Sequence, residues 1–377
     1  MLKEHENQDD FDFSSERPPK KNIFPRIIQK YNPFRIRKNA KKRSLLSTLI
    51  IIIEISFILF TFYLALKRAI KSVINKKVIQ IKNVEKIKNV ETIPDIKVCL
   101  CTPAKNENRY IKEFIQFYEK LGVDKIYLYD NNEKDGEKLE DVISDYIKNG
   151  LVEVTDWRGR NRQLINMMDD CYQKHYDNYD WLIFYEVDEY IHLKNYTNIK
   201  NFLNEPKFNN CKKIYLNWVF HTDNDLLHYD DRPVQQRFPK TEPMPENKVG
   251  KHNFIKSIIR GHIPNLQIDC IHRLSKSINA CNGYGKEPVL QLFRMEEQDF
   301  ENYYIDHYFC KSVDEFIDKL NRGDAHWGKN KDFLIGTFAN YFGYNNMTRE
   351  KVEYIQNKTG LNLSTYIKIL NERNKNE

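Results

Sequence analysis

The 377-residue sequence has no CxxC pair and no Cys/His spacing of the kind that holds zinc. Its seven cysteines are scattered, which argues against a zinc site and fits either reduced thiols or a few disulfides. Cys270 and Cys281 are close enough in sequence for a loop disulfide, but we favour unpaired thiols there. Cys99 and Cys101 alternate with apolar residues, so we expect both to be small core residues.

The globular part of the chain lacks the basic excess that nucleic-acid binding requires. The formal charge is +7, but residues 1–94 contain 20 Lys and Arg against 9 Asp and Glu, and the remainder contains 40 against 44. The positive charge therefore belongs to the N-terminal region, and we exclude nucleic acid as a partner. An apolar fraction of 41% with 13% aromatic residues indicates a packed core for most of the chain.

Residues 44–66 form a long run of nearly all apolar residues, with Glu54 as its one acid. Such a run is long enough to cross a bilayer. It starts late and lacks the small-x-small exit of a cleaved signal peptide, so we predict a transmembrane signal-anchor helix. The helix separates a disordered basic tail, 1–43, from a lysine-rich stem, 67–94, and a globular domain, 95–377.

Basic residues flank this run on both sides, so charge alone does not orient it. We predict a short cytosolic tail and a lumenal C-terminal domain, that is, a single-pass type II membrane protein of the Golgi or endoplasmic reticulum. Sequons of a glycoprotein fit this orientation, and they start at Asn195, Asn346, Asn357 and Asn362.

Strand and helix patterns alternate from residue 96 onward. The strand patterns cover 96–101, 125–130, 151–156, 181–191 and 213–220, and helical spacing runs over 110–121, 139–147 and 164–172. This alternation predicts an α/β fold with a Rossmann-like, mostly parallel sheet and helices on both faces. Ligands bind such sheets at the carboxyl ends of the strands.

Each of the first four predicted strands ends in polar residues. The ends are Thr102–Glu107, Asp130–Asn132, Asp156–Arg158 and Glu186–Glu189. A polar loop explains any one of these ends, but parallel strands would bring all four to one edge of the sheet. We therefore expect the functional site at that edge.

The acid pair Glu186 and Asp188 is the most specific of these signals. With period-two alternation, both carboxylates lie on one side of the predicted strand, where they repel each other unless a cation lies between them. Mg²⁺ or Mn²⁺ would fill that place and bridge to a diphosphate. On this motif alone, a strand exit that faces water or pairs with a lysine is the simpler interpretation.

Four segments in series resemble glycosyltransferases of family 92, a galactosyltransferase-like group with the A-type glycosyltransferase fold. They are CTPAKNENRYIKEFIQFYEKLGVDKIYLYDNN, WLIFYEVDEYI, NWVFHTDNDLLHYDDRPVQQRF and DHYFCKSVDEFIDKLNRGDA. Their order and spacing match the family and favour a functional acid pair over the simpler interpretation. The resemblance implies a hexosyltransferase that uses a nucleotide-sugar, with a UDP-sugar the expected donor, and a glycan or glycoprotein acceptor.

The resemblance also implies roles for individual residues. The nucleoside would contact Thr102, Pro103, Asn106 and Glu107 after the first strand, and Asp130 and Asn131 after the second. Glu186 and Asp188 would bind the metal, Mn²⁺ or Mg²⁺, together with His307, and Lys311 would meet the diphosphate. Glu186 stands where the family commonly has aspartate, which puts its direct contact with the metal in doubt.

The catalytic base remains open at the level of sequence. An inverting transfer needs a group that takes the proton of the acceptor hydroxyl. Asp223 or Asp225 in the acceptor-side segment is the candidate, with Asp231 as a further possibility, and His272 is expected only to line the pocket. We favour inversion because no second carboxylate is identifiable as a covalent nucleophile.

Two other functions fit part of the same pattern. A nucleotidyltransferase also places paired acids and metal on an α/β sheet, but the sequence lacks its glycine-rich, Arg/Lys-studded triphosphate loop. An inactive, membrane-tethered carbohydrate-binding protein is the alternative without catalysis, and the glutamate at position 186 keeps it open.

Overall fold

The computed structural model describes residues 63, 64, 66–68, 70, 71, 93–160, 163–242, 251–323 and 331–373. The chain divides into two compact units, Met1–Glu91 and Thr92–Glu377. The described residues of the first unit lie between 63 and 71 and are helical. No helix within the described ranges is long and apolar enough to cross a membrane. The predicted tail and most of the predicted span and stem lie outside these ranges.

Strands and helices alternate through the first half of the second unit. The strands are β1 (Val98–Ala104), β2 (Lys125–Asp130), β3 (Val152–Asp156), β4 (Trp181–Phe184), β5 (Glu189–Leu193), β6 (Lys213–Phe220), β7 (Ile255–Arg260), β8 (Ala280–Asn282), β9 (Leu290–Gln291), β10 (Arg294–Met295) and β11 (Tyr303–His307). The helices are α1 (Asn108–Leu121), α2 (Glu140–Lys148), α3 (Leu164–His175), α4 (Ile199–Leu203), α5 (Val234–Arg237), α6 (Val313–Arg322), α7 (Lys331–Tyr344), α8 (Arg349–Thr359) and α9 (Ser364–Arg373).

Within the part of the chain that the structure describes, nine strands form one sheet in the order β3-β2-β1-β4-β7-β6-β11-β5, with β8 paired to β6. Strands β1 to β4 are parallel, so their carboxyl ends share one edge. Strand β7 runs antiparallel to β4 and β6, and β5 runs antiparallel to β11. The α/β class is therefore confirmed, but the sheet is mixed rather than mostly parallel.

The two faces of β1 belong to different cores. Val98 and Leu100 pack in a cluster with the buried residues of α1, and Cys99 and Cys101 pack in a second cluster with α3. Because side chains alternate along a strand, one strand serves both cores. Helices cover both faces of the sheet, as the sequence predicts.

The run 181–191, predicted as one strand, is divided in the structure. Residues 185–188 form a turn, in which the Glu189 N–H donates to the Glu186 carbonyl oxygen at 3.0 Å. Strand β4 before the turn pairs with β1, and β5 after it pairs with β11. The prediction of a continuous strand is wrong because the two halves of this apolar run take different partners. The acid pair therefore lies in a turn and not on a strand.

The described residues contain disulfides Cys101–Cys171 and Cys211–Cys281, and free thiols at Cys99, Cys270 and Cys310. The expectation that Cys101 is only a core residue is wrong, and Cys281 pairs with a cysteine 70 residues away. Packing of α3 on β1, and pairing of β8 with β6, bring these distant cysteines together.

Replacing Cys211 and Cys281 together by serine should lower the free energy of unfolding by about 2–5 kcal/mol, because the disulfide constrains the unfolded chain. Urea denaturation of the oxidised full-length chain measures the change. Replacing the free, half-buried Cys270 by serine is the matched control, expected to change stability by about 0.5 kcal/mol or less. Equal stability of the double variant and the wild type would contradict the pairing.

Candidate functional site

Strand pairing explains why residues far apart in sequence meet at one edge of the sheet. Strands β1, β2 and β4 end there, and the turn at 185–188 follows β4. Strand β11 lies antiparallel to β5 with His307 opposite Glu189. The Tyr308 N–H then donates to the Asp188 carbonyl oxygen at 2.9 Å. This register places His307 beside the two acids of the turn.

A cleft of about 380 Å³ opens at this edge. Its charged and polar side chains are Lys105, Glu107, Asn131, Glu186, Asp188, His272, Arg294, His307, Lys319, Arg322, Thr337 and Asn340, and its aromatic side chains are Trp218, Phe220, Phe254, Phe309 and Tyr344. The cleft therefore offers both ionic groups and large apolar rings to a ligand.

Asp188 is held as a buried carboxylate by neighbours on both oxygens. Its Oδ2 accepts from Lys319 Nζ at 3.0 Å, and its Oδ1 lies 3.6 Å from His307 Nε2. Burial alone would raise the pKa of Asp188, but the Lys319 ammonium holds it well below its usual range. Asp188 is therefore ionised at neutral pH.

Glu186 pairs with a different cation. Its Oε2 lies 2.7 Å from Lys256 Nζ, and the same ammonium is 3.4 Å from Glu189 Oε1. Burial opposes ionisation of Glu186, but Lys256 lowers its pKa below the usual range. Burial raises the pKa of Glu189 to about 8. An ammonium from β7 thus supplies the positive charge that the sequence assigned to a metal.

His307 is a neutral imidazole in an aromatic setting. Burial lowers its pKa, although Asp188 opposes the change. The ring centroids of Trp218 and Phe220 lie 4.3 and 5.0 Å from its own. Its Nδ1 is buried and has no hydrogen-bond partner among the described residues. Neutral imidazole is the form that binds metal ions.

The structure brings together two of the three predicted metal ligands. The Asp188 carboxylate and the neutral His307 imidazole are the residues that could hold a divalent cation. Glu186 is paired with Lys256 instead. Across the described ranges, no group of three His, Cys, Asp or Glu side chains is arranged to hold a metal ion. A complete three-ligand set is therefore not assembled.

Helix α6 adds cations to the cleft. A capping box at Ser312 and Glu315 fixes the first turn of the helix. Lys319 and Arg322, three residues apart on one face, both line the cleft. Arg322 donates to the carbonyl oxygen of Lys105 and to a carboxylate oxygen of Glu107, which ties α6 to the loop after β1.

The residues predicted to contact the nucleoside divide into two groups. Pro103, Glu107 and Asn131 line the cleft, whereas Thr102, Asn106 and Asp130 do not. The Asn131 amide donates to the Arg160 carbonyl oxygen at 2.7 Å, which holds the side chain in place. The Asp130 carboxylate accepts the Asn132 N–H at 3.0 Å. Asp130 therefore supports the loop after β2 instead of facing the cleft.

Lys311 lies behind the cleft and does not line it. Its ammonium sits 3.7 Å from the centroid of the Tyr110 ring and 3.9 Å from Glu107 Oε2. Burial lowers the pKa of Lys311. The cations that line the cleft are Lys105, Arg294, Lys319 and Arg322, not the lysine that the sequence singled out.

The predicted base candidates lie outside the cleft lining. Asp223 is buried, and its Oδ2 accepts from Tyr341 at 2.7 Å and from Lys351 at 2.9 Å. Lys351 also donates to Asp225 at 3.1 Å, and Asp231 is exposed. These contacts join the segment after β6 to α7 and α8. The assignment of a base to this segment stays a prediction.

Sequence reasoning missed Lys256, Lys319 and Arg322. The two residues of α6 had a usable signal, because a capping motif precedes them and their spacing puts both on one helix face. Lys256 had none. Its burial depends on pairing of β7 with β4 and β6, which no local pattern shows.

The fold and the site define an α/β protein with an ionic cleft at the carboxyl ends of parallel strands, where ligands bind in such sheets. The sequence model of glycosyltransferase family 92 matches residues 95–335. The protein belongs to glycosyltransferase family 92. The resemblance carried by the four sequence segments is thereby confirmed.

Plant members of the family match parts of the chain. A family 92 protein of Oryza sativa subsp. japonica is 28% identical over 98 residues, which are 26% of this chain and 16% of that protein. A Ricinus communis member is 28% identical over 98 residues, 26% and 17% of the two chains. An Arabidopsis thaliana member is 25% identical over 129 residues, which are 33% of this chain and 20% of that protein. The matches span about a fifth or less of these relatives.

Solved structures give more distant likenesses. S. aureus TarS aligns with 65% of this chain and 43% of its own, at 10% identity and a TM-score of 0.32. TarS 1–349 in complex with UDP-GlcNAc aligns with 34% of each chain, at 12% identity and a TM-score of 0.25.

Proposed function

We propose that this glycosyltransferase has the A-type fold and transfers a sugar from a UDP-sugar to a hydroxyl of a glycan or glycoprotein, with inversion and with Mn²⁺ or Mg²⁺. The observation that carries the proposal is the pair of Asp188 and His307 beside Lys319, in a cleft at the carboxyl ends of parallel strands. A carboxylate, a neutral imidazole and an ammonium match a diphosphate bound through a cation.

The leaving group is the part of the donor that these residues recognise. A divalent cation held by Asp188 and His307 would neutralise charge on the donor diphosphate. Lys319 and Arg322 would donate to the diphosphate oxygens, because the ammonium keeps one N–H group beyond its bonds to Asp188 and Phe309, and the guanidinium keeps N–H groups beyond those used here. These fixed cations stabilise the negative charge that develops as the sugar departs.

The loops after β1 and β2 are suited to the nucleoside. Pro103 and Asn131 line the cleft on adjacent parallel strands. Because the side-chain nitrogen of Asn131 donates a hydrogen bond to the backbone, the side-chain oxygen Oδ1 remains to accept a hydrogen bond from a base or a ribose hydroxyl. The nucleoside then lies over the ends of β1 and β2, and the diphosphate points toward Asp188.

Inversion is supported by the state of the carboxylates on the cleft. Among the described residues these are Glu107, Glu186 and Asp188, and their cationic partners are Arg322, Lys256 and Lys319. Retention through a covalent sugar intermediate needs a carboxylate free to attack the anomeric carbon. A cation engages each carboxylate that lines the cleft, which favours direct displacement by the acceptor.

We place the catalytic unit in the lumen of the Golgi or endoplasmic reticulum, with the predicted residues 44–66 as the membrane anchor. Two disulfides support an oxidising compartment. The sequon residues Asn195, Asn346, Asn357 and Asn362 are all exposed, as glycan attachment requires.

The proposal predicts that the detergent-solubilised full-length chain releases UDP from at least one UDP-sugar in the presence of Mn²⁺ or Mg²⁺. EDTA should reduce the rate by about 10²-fold or more, and excess Mn²⁺ should restore it, because the diphosphate loses its counter-charge. The measurement is UDP release from UDP-galactose, UDP-glucose and UDP-GlcNAc.

Other outcomes of the same experiment point elsewhere. Pyrophosphate release from UTP would indicate a nucleotidyltransferase. Sugar binding without donor cleavage would indicate an inactive carbohydrate-binding protein. Donor cleavage undiminished by EDTA would contradict the role of the cation.

A further inference from the structure

His272 is a largely buried histidine on the cleft to which the proposed donor site gives no role. Its Nδ1 lies 2.9 Å from the carbonyl oxygen of Ile255. Because a carbonyl oxygen only accepts hydrogen bonds, Nδ1 must carry the proton of the neutral ring. The lone pair therefore belongs to Nε2, which has no hydrogen-bond partner within the described residues.

Aromatic side chains fix the orientation of this imidazole. Phe293 stacks on it at a centroid distance of 5.1 Å, and Trp218 meets it edge-on at 5.2 Å. Phe254 lies at 5.8 Å in a tilted arrangement. With three rings and one hydrogen bond around it, the side chain has little freedom to turn. Nε2 is thus a preorganised acceptor on the cleft.

His272 lies one side chain away from the proposed donor site. The indole of Trp218 contacts the His272 ring on one side and the His307 ring, at 4.3 Å, on another. All three residues line the same cleft. Burial, and next to it the nearby Lys256, lower the pKa of His272 to about 4, so the ring is neutral at neutral pH.

We propose that Nε2 of His272 is the general base that takes the proton of the acceptor hydroxyl. This inference rests on the proposed function. The acceptor oxygen forms a bond to the anomeric carbon as its proton passes to Nε2. The bond from that carbon to the β-phosphate oxygen breaks, and its electron pair leaves with the nucleoside diphosphate. The imidazolium then releases its proton to solvent.

This role separates His272 from the aspartates of the acceptor-side segment. Asp223 and Asp225 do not line the cleft, and Lys351 binds both carboxylates. A base must come within hydrogen-bond reach of the proton that it takes. His272 meets the requirement of access to the cleft.

The test uses the full-length chain, Mn²⁺ and the UDP-sugar that the wild type cleaves fastest, with water as the acceptor. Replacing His272 by glutamine or asparagine should slow UDP release by about 10²-fold or more, because neither amide accepts the proton. Affinity for UDP with Mn²⁺, measured by titration calorimetry, should stay within about twofold of the wild type. Imidazole added to the His272→Gly variant should restore part of the rate.

The matched control is His262→Gln, since this histidine is exposed and does not line the cleft. Rate and UDP affinity should both equal those of the wild type. Retention of a third or more of the rate in a folded His272→Gln or His272→Asn variant overturns the inference. The inference is also overturned if imidazole restores none of the rate of UDP release in His272→Gly. It is overturned as well if Asp225→Asn, as a single substitution, slows UDP release by about 10²-fold. Failure of the wild type to bind or cleave any UDP-sugar instead removes the proposed function itself.

Discussion

Replacing Asp188 by asparagine should reduce UDP release by about 10³-fold, which corresponds to about 4 kcal/mol of transition-state stabilisation. Asp188 is the ionised member of the pair with His307, and its other oxygen accepts from Lys319. Asparagine keeps the size of the side chain but removes the charge that a divalent cation and Lys319 require. Steady-state UDP release at saturating Mn²⁺ measures the loss.

The variant Glu186→Gln should behave differently from Asp188→Asn. Because Glu186 is already paired with Lys256, it contributes less to binding of an external cation. We expect Glu186→Gln to keep the affinity for Mn²⁺ within about threefold, and Asp188→Asn to lower it by about 10-fold to 100-fold. Asp177→Asn, at an exposed acid, is the control for loss of one carboxylate. Equal effects of the two cleft variants would contradict the division of roles.

Replacing Lys256 by methionine should destabilise the fold by about 3–5 kcal/mol. The ammonium is fully buried, 2.7 Å from Glu186 and 3.4 Å from Glu189, and methionine fills a similar volume without the charge. The fully buried Glu189 carboxyl would lose its nearest cation, and Glu186 would lose its partner. Urea denaturation at neutral pH gives the change in the free energy of unfolding.

A control and a rescue test the origin of this loss. Lys174→Met removes an exposed ammonium paired with Asp170 and should change stability by about 0.5 kcal/mol or less. Adding Glu186→Gln to Lys256→Met should recover part of the loss, because the ionised partner of Lys256 is then no longer left without its cation. A loss below about 1 kcal/mol, or no recovery, would show that the ion pairs do not stabilise the fold.

The local pattern of the sequence was enough to predict most elements of the first half of the domain. The strand patterns at 125–130 and 213–220 match β2 and β6 residue for residue, and the spacing over 164–172 lies within α3. These elements alternate cleanly with turn residues, so local signals and tertiary structure agree. Their parallel order also placed the polar strand ends at one edge.

Long-range pairings could not be predicted in the same way. The strand pattern breaks at 185–188 because β5, unlike β4, pairs with β11, which lies more than 100 residues later in the chain. The position of Lys256 depends on β7 lying between β4 and β6. Each disulfide likewise joins cysteines 70 residues apart. No short window of sequence contains both members of such pairs.

The resemblance pointed to the two acids and the histidine, but it did not point to the lysines that form ion pairs with the acids. Glu186, Asp188 and His307 all line the cleft, but only Asp188 and His307 lie together, because Glu186 pairs with Lys256. Lysines compensate the two acids, because the buried Asp188 carboxylate and the buried Lys256 ammonium must each be paired even without a bound ion. The ion pairs with lysine therefore exist beside the divalent-cation site that we propose for Asp188 and His307, and they do not replace it.

The most direct measurement is a crystal structure of the protein soaked with UDP and Mn²⁺, with anomalous scattering recorded to locate manganese. The account predicts a manganese peak in direct contact with Asp188 and His307 and with the diphosphate, with Glu186 still bound to Lys256. UDP bound in the cleft with its diphosphate held by Lys319 and Arg322 alone, or manganese bound away from Asp188 and His307, would contradict it.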